Sequence, residues 1–592
     1  MHVDAQPPRP HRLGLEAYRG LLSGACGAEA VDALRAAERS WRLLLLRALV
    51  DAADGVPTAP LPPLADGWRL LTRAWEADAE PVERLLLYPT VGTWAAYALR
   101  RVRGSVTGES PLWVELGQLH AVAASAAVLA GLDFRTTVPV RDGWVVLPML
   151  GGAEVPPAEG RWGSAQVSAE AGAVLVDKVR RGGPGWYPLR ELSGDGCTAV
   201  LDDLDPYRGL RAPQPPQPLD TADRYAALFT EAWRLLAHDD PETARAAAKG
   251  LSSVVPQPRA EPYRPHSASS GDAFGAVVAS EPDDAEQFAS TLVHEFQHNK
   301  LGAFMHLFTL YRDGGTERFY APWRDDPRPL GGLLQGVYAF FGVTRFYRRR
   351  PTPLGAFEYA LWRAQTLRAL HGIRDVDRLT DLGRELIDEL TARLTAWQDE
   401  PVDPQALDAA RYAAADHYAS WRAHHVEADA DAVTRAAKAY EEGRVPLVPP
   451  RHADVIVPGK PRRGLDTRAV LVRRLLVDPE ALRALRSAPG AVVEGARPED
   501  VALVTGDTGW ARQRFEARVV EEGTPEAWVG LGLALRAERH PAADVLLTRP
   551  EFVRAVHAER GGGSVDPVRL VSSFRPGPDS SAPGRYSGSG SM

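Results

Sequence analysis

Two cysteines in 592 residues leave little room for thiol chemistry. Cys26 and Cys197 stand far apart in Gly-flanked contexts, so neither a disulfide framework nor a cysteine-ligated zinc or iron–sulfur centre can be assembled from them. Lysine is scarce too: Lys178, Lys249, Lys300, Lys438 and Lys460 are the only five, and arginine carries the remaining positive charge. The formal net charge of −8 removes any global pull toward nucleic acid or an anionic membrane. No run of 18 uninterrupted apolar residues occurs, and the opening MHVDAQPPRPHRLGLEAYRG lacks the apolar core and cleavage site of a secretory signal. The expectation is a soluble, cytoplasmic protein with no nucleic-acid or membrane partner. No internal repeat stands out.

What is present is ordinary for a globular chain: 45% hydrophobic and 25% charged residues, at a length that supports two or three packed units. The pattern predicts a mainly α protein with small β elements, an α+β class. Residues 1–255 read as helices around 29–53, 66–77, 81–103, 111–131 and 221–237, interrupted by strands. TTVPVRDGWVVLPML (136–150) alternates about an Asp-Gly pair, a hairpin signal, and a second strand pair is expected at 162–178. A core follows at 256–450, with the strand GAVVAS (275–280) and then a long central helix. Its start is read at Ser280 as N-cap, with Pro282 in the first turn and acids at 281, 283, 284 and 286; it is expected to run to Tyr311, before Gly314-Gly315. Apolar residues on most of its faces, from Phe288 to Phe308, imply burial. Further helices are expected at 333–347, 355–370, 377–398 and 404–443, a linker at 451–466, a C-terminal helical unit at 467–560 and a flexible tail at 561–592.

His294-Glu295-Phe296-Gln297-His298 lies within that central helix. Residues four apart on a helix differ by about 40° in azimuth, so both imidazoles face one side and can chelate one ion. Glu295 sits about 100° away from His294, beside such an ion, where zinc peptidases place their general base. Random placement of 15 histidines yields on the order of a few hundredths of such a match. A third ligand stays open. Glu317 follows His298 after 18 residues, a zinc-aminopeptidase spacing, but lies in a loop just after Gly314-Gly315. Gln335 occupies the second helix, where those peptidases carry a carboxylate in a gluzincin-like helix pair, and an amide is a weak ligand. Asp325 and Asp326 lie between them.

The same loop carries Arg324 and Arg328, whose forked guanidinium groups suit a cosubstrate or peptide carboxylate unless Asp325, Asp326 or other acids occupy them. His306 is read as core or near-site, and His424-His425 as solvated or capping.

SASSGDAFGAVVAS (267–280), TLVHEFQHNKLGA (291–303) and FYAPWRDDPRPLGGLLQGVYAFFGV (319–343) resemble the HExxH-domain proteins of ribosomal peptide natural-product clusters, with weaker echoes at 85–100, 142–152 and 524–535. The resemblance implies an Fe(II)- and 2-oxoglutarate-dependent hydroxylase that uses O2 on Cβ of a residue in a ribosomally synthesised precursor peptide. It implies Fe(II) on His294, His298 and one further group, a cosubstrate carboxylate on Arg324 or Arg328, and a radical-SAM cyclophane-forming maturase as a further partner. Two other functions fit the residues. One is a Zn2+ metallopeptidase with Glu295 as base; the other is a non-catalytic protein that delivers the precursor to a maturase.

Overall fold

Proline and aspartate mark where many of the helices begin. A proline in the first turn gives up an amide hydrogen that has no partner there anyway, and a preceding Asp or Thr side chain accepts one of the other free N–H groups. Asp240-Pro241, Asp403-Pro404, Asp478-Pro479 and Asp566-Pro567 combine both devices. The computed structural model describes residues 11–25, 27–155, 160–209, 212–449, 455–457 and 464–574. The chain divides into two compact units, Met1–Leu310 and Tyr311–Met592.

The first unit opens with six helices: α1 (Leu15–Leu22), α2 (Ala28–Ala52), α3 (Leu64–Ala77), α4 (Ala79–Leu86), α5 (Pro89–Val102) and α6 (Leu112–Leu129). The single helix expected at 81–103 is therefore two, broken before Pro89. Among the described residues α6 alone is long and apolar enough to cross a membrane; 78% of it is buried, as befits a core helix against α3 and the next strand. Seven antiparallel strands follow: β1 (Phe134–Arg141), β2 (Trp144–Leu147), β3 (Gly151–Glu154), β4 (Trp162–Glu170), β5 (Ala173–Val176), β6 (Val179–Arg180) and β7 (Trp186–Tyr187). They are ordered β6-β5-β4-β1-β2-β3-β7. The β1–β2 turn is Asp142-Gly143 with φ of 51° and 78°, the left-handed pair that a two-residue hairpin needs, and β4–β5 is the expected second pair.

A second sheet positions the candidate site. It is ordered β11-β12-β10-β9-β8, from β8 (Arg190–Gly194), β9 (Cys197–Leu201), β10 (Ser253–Gln257), β11 (Ser267–Ala268) and β12 (Ala276–Ser280). Between β9 and β10 lie α7 (Ala222–Asp239) and α8 (Pro241–Gly250), and β9, β10 and β12 run parallel. The domain boundary expected near residue 255 falls inside β10. The unit ends on α9 (Ala285–Leu307), which packs against α7, α2 and α8.

The second unit is helical. It comprises α10 (Leu330–Tyr347), α11 (Pro353–Ile373), α12 (Asp381–Gln398), α13 (Pro404–His425), α14 (Ala430–Glu441), α15 (Thr467–Val477), α16 (Pro479–Ala484), α17 (Pro498–Val504), α18 (Thr508–Glu521), α19 (Pro525–Ala537), α20 (Ala543–Thr548), α21 (Pro550–Glu559) and α22 (Pro567–Ser573). A two-stranded ribbon, β13 (Val426–Glu427) with β14 (Val455–Ile456), separates α13 from α14, so the helix expected over 404–443 is interrupted. Of the flexible tail expected at 561–592, residues 567–573 form α22 instead, with Asp566 as its N-cap; the part beyond residue 574, and much of the expected linker at 451–466, lie outside the described residues.

Candidate metal centre

The central helix begins later than its sequence suggests. Ser280 is the last residue of β12, opposite Gln257 of β10, and its Oγ accepts the His266 N–H at 3.0 Å. Asp284 caps α9 instead, accepting the Gln287 N–H at 2.8 Å. Asp283 ties the turn by accepting from Tyr263 N at 2.9 Å and Gln287 Nε2 at 2.8 Å. The helix ends at Leu307, and Phe308, expected inside it, is its extended C-cap. Phe288, Leu292, Val293, Phe296, Leu301 and Phe304 are buried, as their spacing requires.

Asn299 joins strand to helix. Its Oδ1 accepts the Gly275 N–H at 2.8 Å, and its Nδ2 donates to Ala276 O at 3.0 Å and Glu295 O at 2.9 Å. One buried amide thus pins the start of β12 against the turn of α9 that carries the HExxH sequence. Gln297 Nε2 and Lys300 Nζ both donate to Gly24 O, at 3.2 and 3.3 Å, fixing another face of the same turn.

On the remaining face the two imidazoles converge: His294 Nε2 and His298 Nε2 are 3.1 Å apart, with the rings at 78°. Burial, and then His298, push His294 well below its ordinary pKa, so it is neutral with a lone pair to offer. Glu295 is 1% exposed, and its Oε1 lies 3.8 Å from His294 Nε2. Burial raises its pKa against the opposing pull of His298 and of the Ser267 and Ser269 hydroxyls. Its Oε2 is buried without a hydrogen-bond partner.

These three residues form the one cluster of His, Cys, Asp or Glu among the described residues that is suited to a metal ion, with ligand atoms within 4.8 Å of one another. Two nitrogens each ~2.1 Å from a common ion and 3.1 Å from each other subtend roughly 95° at it, nearer an octahedral than a tetrahedral edge. The donor set fits a divalent ion of nitrogen and oxygen preference. Without an ion, one proton shared between the rings accounts for the same distance.

The other ligand candidates, Glu317, Asp325, Asp326 and Gln335, belong to the second unit. Glu317, in the segment before α10, is bound by Arg378 Nη2 at 3.0 Å. Arg324 Nε and Arg328 Nη1 both donate to Asp326, at 3.0 and 3.1 Å. Burial pushes the Asp326 carboxyl up, but the two guanidinium groups outweigh it and hold it below the usual range. Asp325 Oδ2 accepts the Gly464 N–H at 3.1 Å, and its backbone oxygen meets His425 Nε2 at 2.6 Å. Gln335 is half-buried on α10. His424 pairs with Glu526 at 3.0 Å. His306, in the last turn of α9, pairs with Glu38 at 2.6 Å and stacks on Trp41.

Reading the sequence alone passes over Asn299, Ser267 and Ser269. Asn299 directly follows the second histidine, and a polar residue at an otherwise apolar helix position is the signal that could have marked it. Neither a protein-family model nor a curated protein sequence matches the chain.

Proposed function

We propose that the chain is an Fe(II)- and 2-oxoglutarate-dependent hydroxylase acting on Cβ of a residue in a ribosomally synthesised precursor peptide. The observation that carries this reading is the convergence of His294 Nε2 and His298 Nε2, 3.1 Å apart, on one face of α9 beside the buried Glu295 carboxyl, a donor set that would hold ferrous iron. The HExxH resemblance points the same way. A bound ferrous ion would supply the oxidation: O2 is consumed, 2-oxoglutarate leaves as succinate and CO2, and a substrate C–H becomes C–OH. His294 and His298 would hold the ion through their Nε2 atoms. Asn299 fixes the turn they stand on, and Glu295, its Oε1 3.8 Å from His294 Nε2, can hold a proton beside it. A cosubstrate carboxylate at Arg324 or Arg328 would compete with Asp326.

The test is anaerobic Fe(II) loading, then succinate release from 2-oxoglutarate under O2, with and without precursor peptide, together with peptide mass. Peptide-stimulated succinate and a gain of one oxygen atom are expected, both lost in His294→Ala.

One observation favours a second reading, a Zn2+ peptidase. Glu295 is a buried carboxyl with a raised pKa beside the histidines, the property of a general base on metal-bound water. Cleavage after Zn2+ loading that Glu295→Gln abolishes, with no succinate, would replace the hydroxylase. Tight peptide binding with silence in both assays would leave the delivery role.

A further inference from the structure

A groove of about 690 Å3 opens in the second unit, walled by β13, the end of α18, α21 and the turn at Gly562-Gly563. One wall is the edge of a strand. Val457 N donates to His425 O at 2.9 Å, and Val426 and Glu427 stand opposite Ile456 and Val455. In an antiparallel pair alternate residues bond across to the partner, so His425 and Glu427 turn their backbone groups toward β14. Val426 and Ala428 turn theirs away from it, and both border the groove. The Val426 N–H closes α13 on Arg422 O. The Val426 carbonyl and the Ala428 N–H make no hydrogen bond among the described residues.

The side chains along the groove add a surplus of negative charge. Glu522 is answered by Arg518 and Arg497, and Glu551 by Arg422. Arg554, the one guanidinium on these walls, gives its Nη1 to Ala423 O at 3.2 Å. Glu427 and Glu521 are exposed and form no ion pair among the described residues. Trp528 also borders the groove; it is fully buried, and its Nε1 has no hydrogen-bond partner. An indole N–H can only donate, so what it lacks is an acceptor. His557, edge-on to Trp528 at 4.9 Å, donates its Nε2–H to Val565 O at 3.0 Å and does not supply one to Trp528 through that nitrogen.

We propose that this groove binds an extended, cationic peptide segment, which adds a strand to the free edge of β13 and sets Lys or Arg side chains against Glu427 and Glu521. One such ligand supplies what the walls lack: an N–H for the Val426 carbonyl, carbonyls for the Ala428 and Trp528 N–H groups, and cations for the two acids. A bare metal ion would satisfy the acids and leave both donors unanswered. The inference uses none of the residues of the metal centre and its test needs no metal, so it stands or falls apart from the hydroxylase reading.

The test is fluorescence anisotropy of a labelled, end-capped short peptide of alternating valine and arginine, titrated with the full-length chain at low salt. Saturable binding is expected, weakened about threefold by Glu427→Gln or Glu521→Gln and about tenfold by the two together, while the melting temperature holds. N-methylation of the peptide's backbone amides should weaken binding at least about tenfold, because the charges stay and the strand hydrogen bonds go. No saturable binding to the wild-type chain, equal affinity for a peptide with glutamate in place of arginine, or unchanged affinity in the double variant overturns the site. An N-methylated peptide bound as tightly as its parent overturns the added strand.

Discussion

At the last turn of α9, His306 faces a carboxylate that water scarcely reaches. Glu38 is 1% exposed and bonds His306 Nδ1 at 2.6 Å, while the ring stacks on Trp41. The hydrogen bond with Glu38 raises the histidine pKa; burial and Arg42 oppose it, and Asp272 adds to it. The folded chain therefore prefers the imidazolium. Its contribution to stability is fully present below the ordinary histidine pKa of about 6.5 and is lost as pH rises through the higher folded value. The melting-temperature gap between wild type and His306→Gln should thus be larger near about pH 5.5 than near about pH 9. At the candidate centre, His294→Ala should weaken Zn2+ or Fe(II) binding by more than about 100-fold in a chelator competition, since it removes a ligand rather than its support. The pairing of His294 with His298 was legible because helix geometry alone places residues four apart on one face. Arg324, Arg328 and Glu317 were read as possible ligand groups, yet Asp326 and Arg378 already engage them. Which acid answers which base is decided by tertiary contacts, and spacing carries no record of that.

Among the elements, α9 depends on two side chains that do different work. Asp284 satisfies a free N–H at its start, so Asp284→Ala should cost about 1 kcal/mol. Asn299→Ala strands the Gly275 N–H and the Ala276 carbonyl inside the fold and should cost about 1–3 kcal/mol, measured by urea denaturation. The hairpin at Asp142-Gly143 was readable from two residues because its turn is local. The start of α9 was misplaced by a few residues because Ser280 is a plausible cap in isolation; what claims it is the parallel register with Gln257. The breaks before Pro89 and after His425 went unread for related reasons. Tyr88, just ahead of the first break, donates its hydroxyl to Asp202 Oδ2 at 2.6 Å, and β13 at the second pairs with Val455 and Ile456, in a stretch read as linker.

For the molecule as a whole, the shortage of lysine acquires a structural counterpart. Interior ion pairs in the second unit use arginine, whose planar fork binds two acceptors at once. Arg468 bridges Asp416 and Asp500, all three nearly without exposure, so Arg468→Met leaves two buried carboxylates unpaired and should cost about 3–5 kcal/mol in chemical denaturation. The mixed, mainly helical class was evident from periodicity, whereas the sheets of seven and five strands exceed the small β elements expected. The division at residues 310 and 311 was not, because it follows the central helix with no change of composition, whereas the expected cut near 255 would have severed a sheet. The junction of β12 with α9 has one more consequence. The amide proton of Gly275 is held by a side chain within the fold, so it can trade with solvent deuterium only when Asn299 lets go. The rate at which that single proton is replaced is a clock for how often the strand and the histidine-bearing helix part.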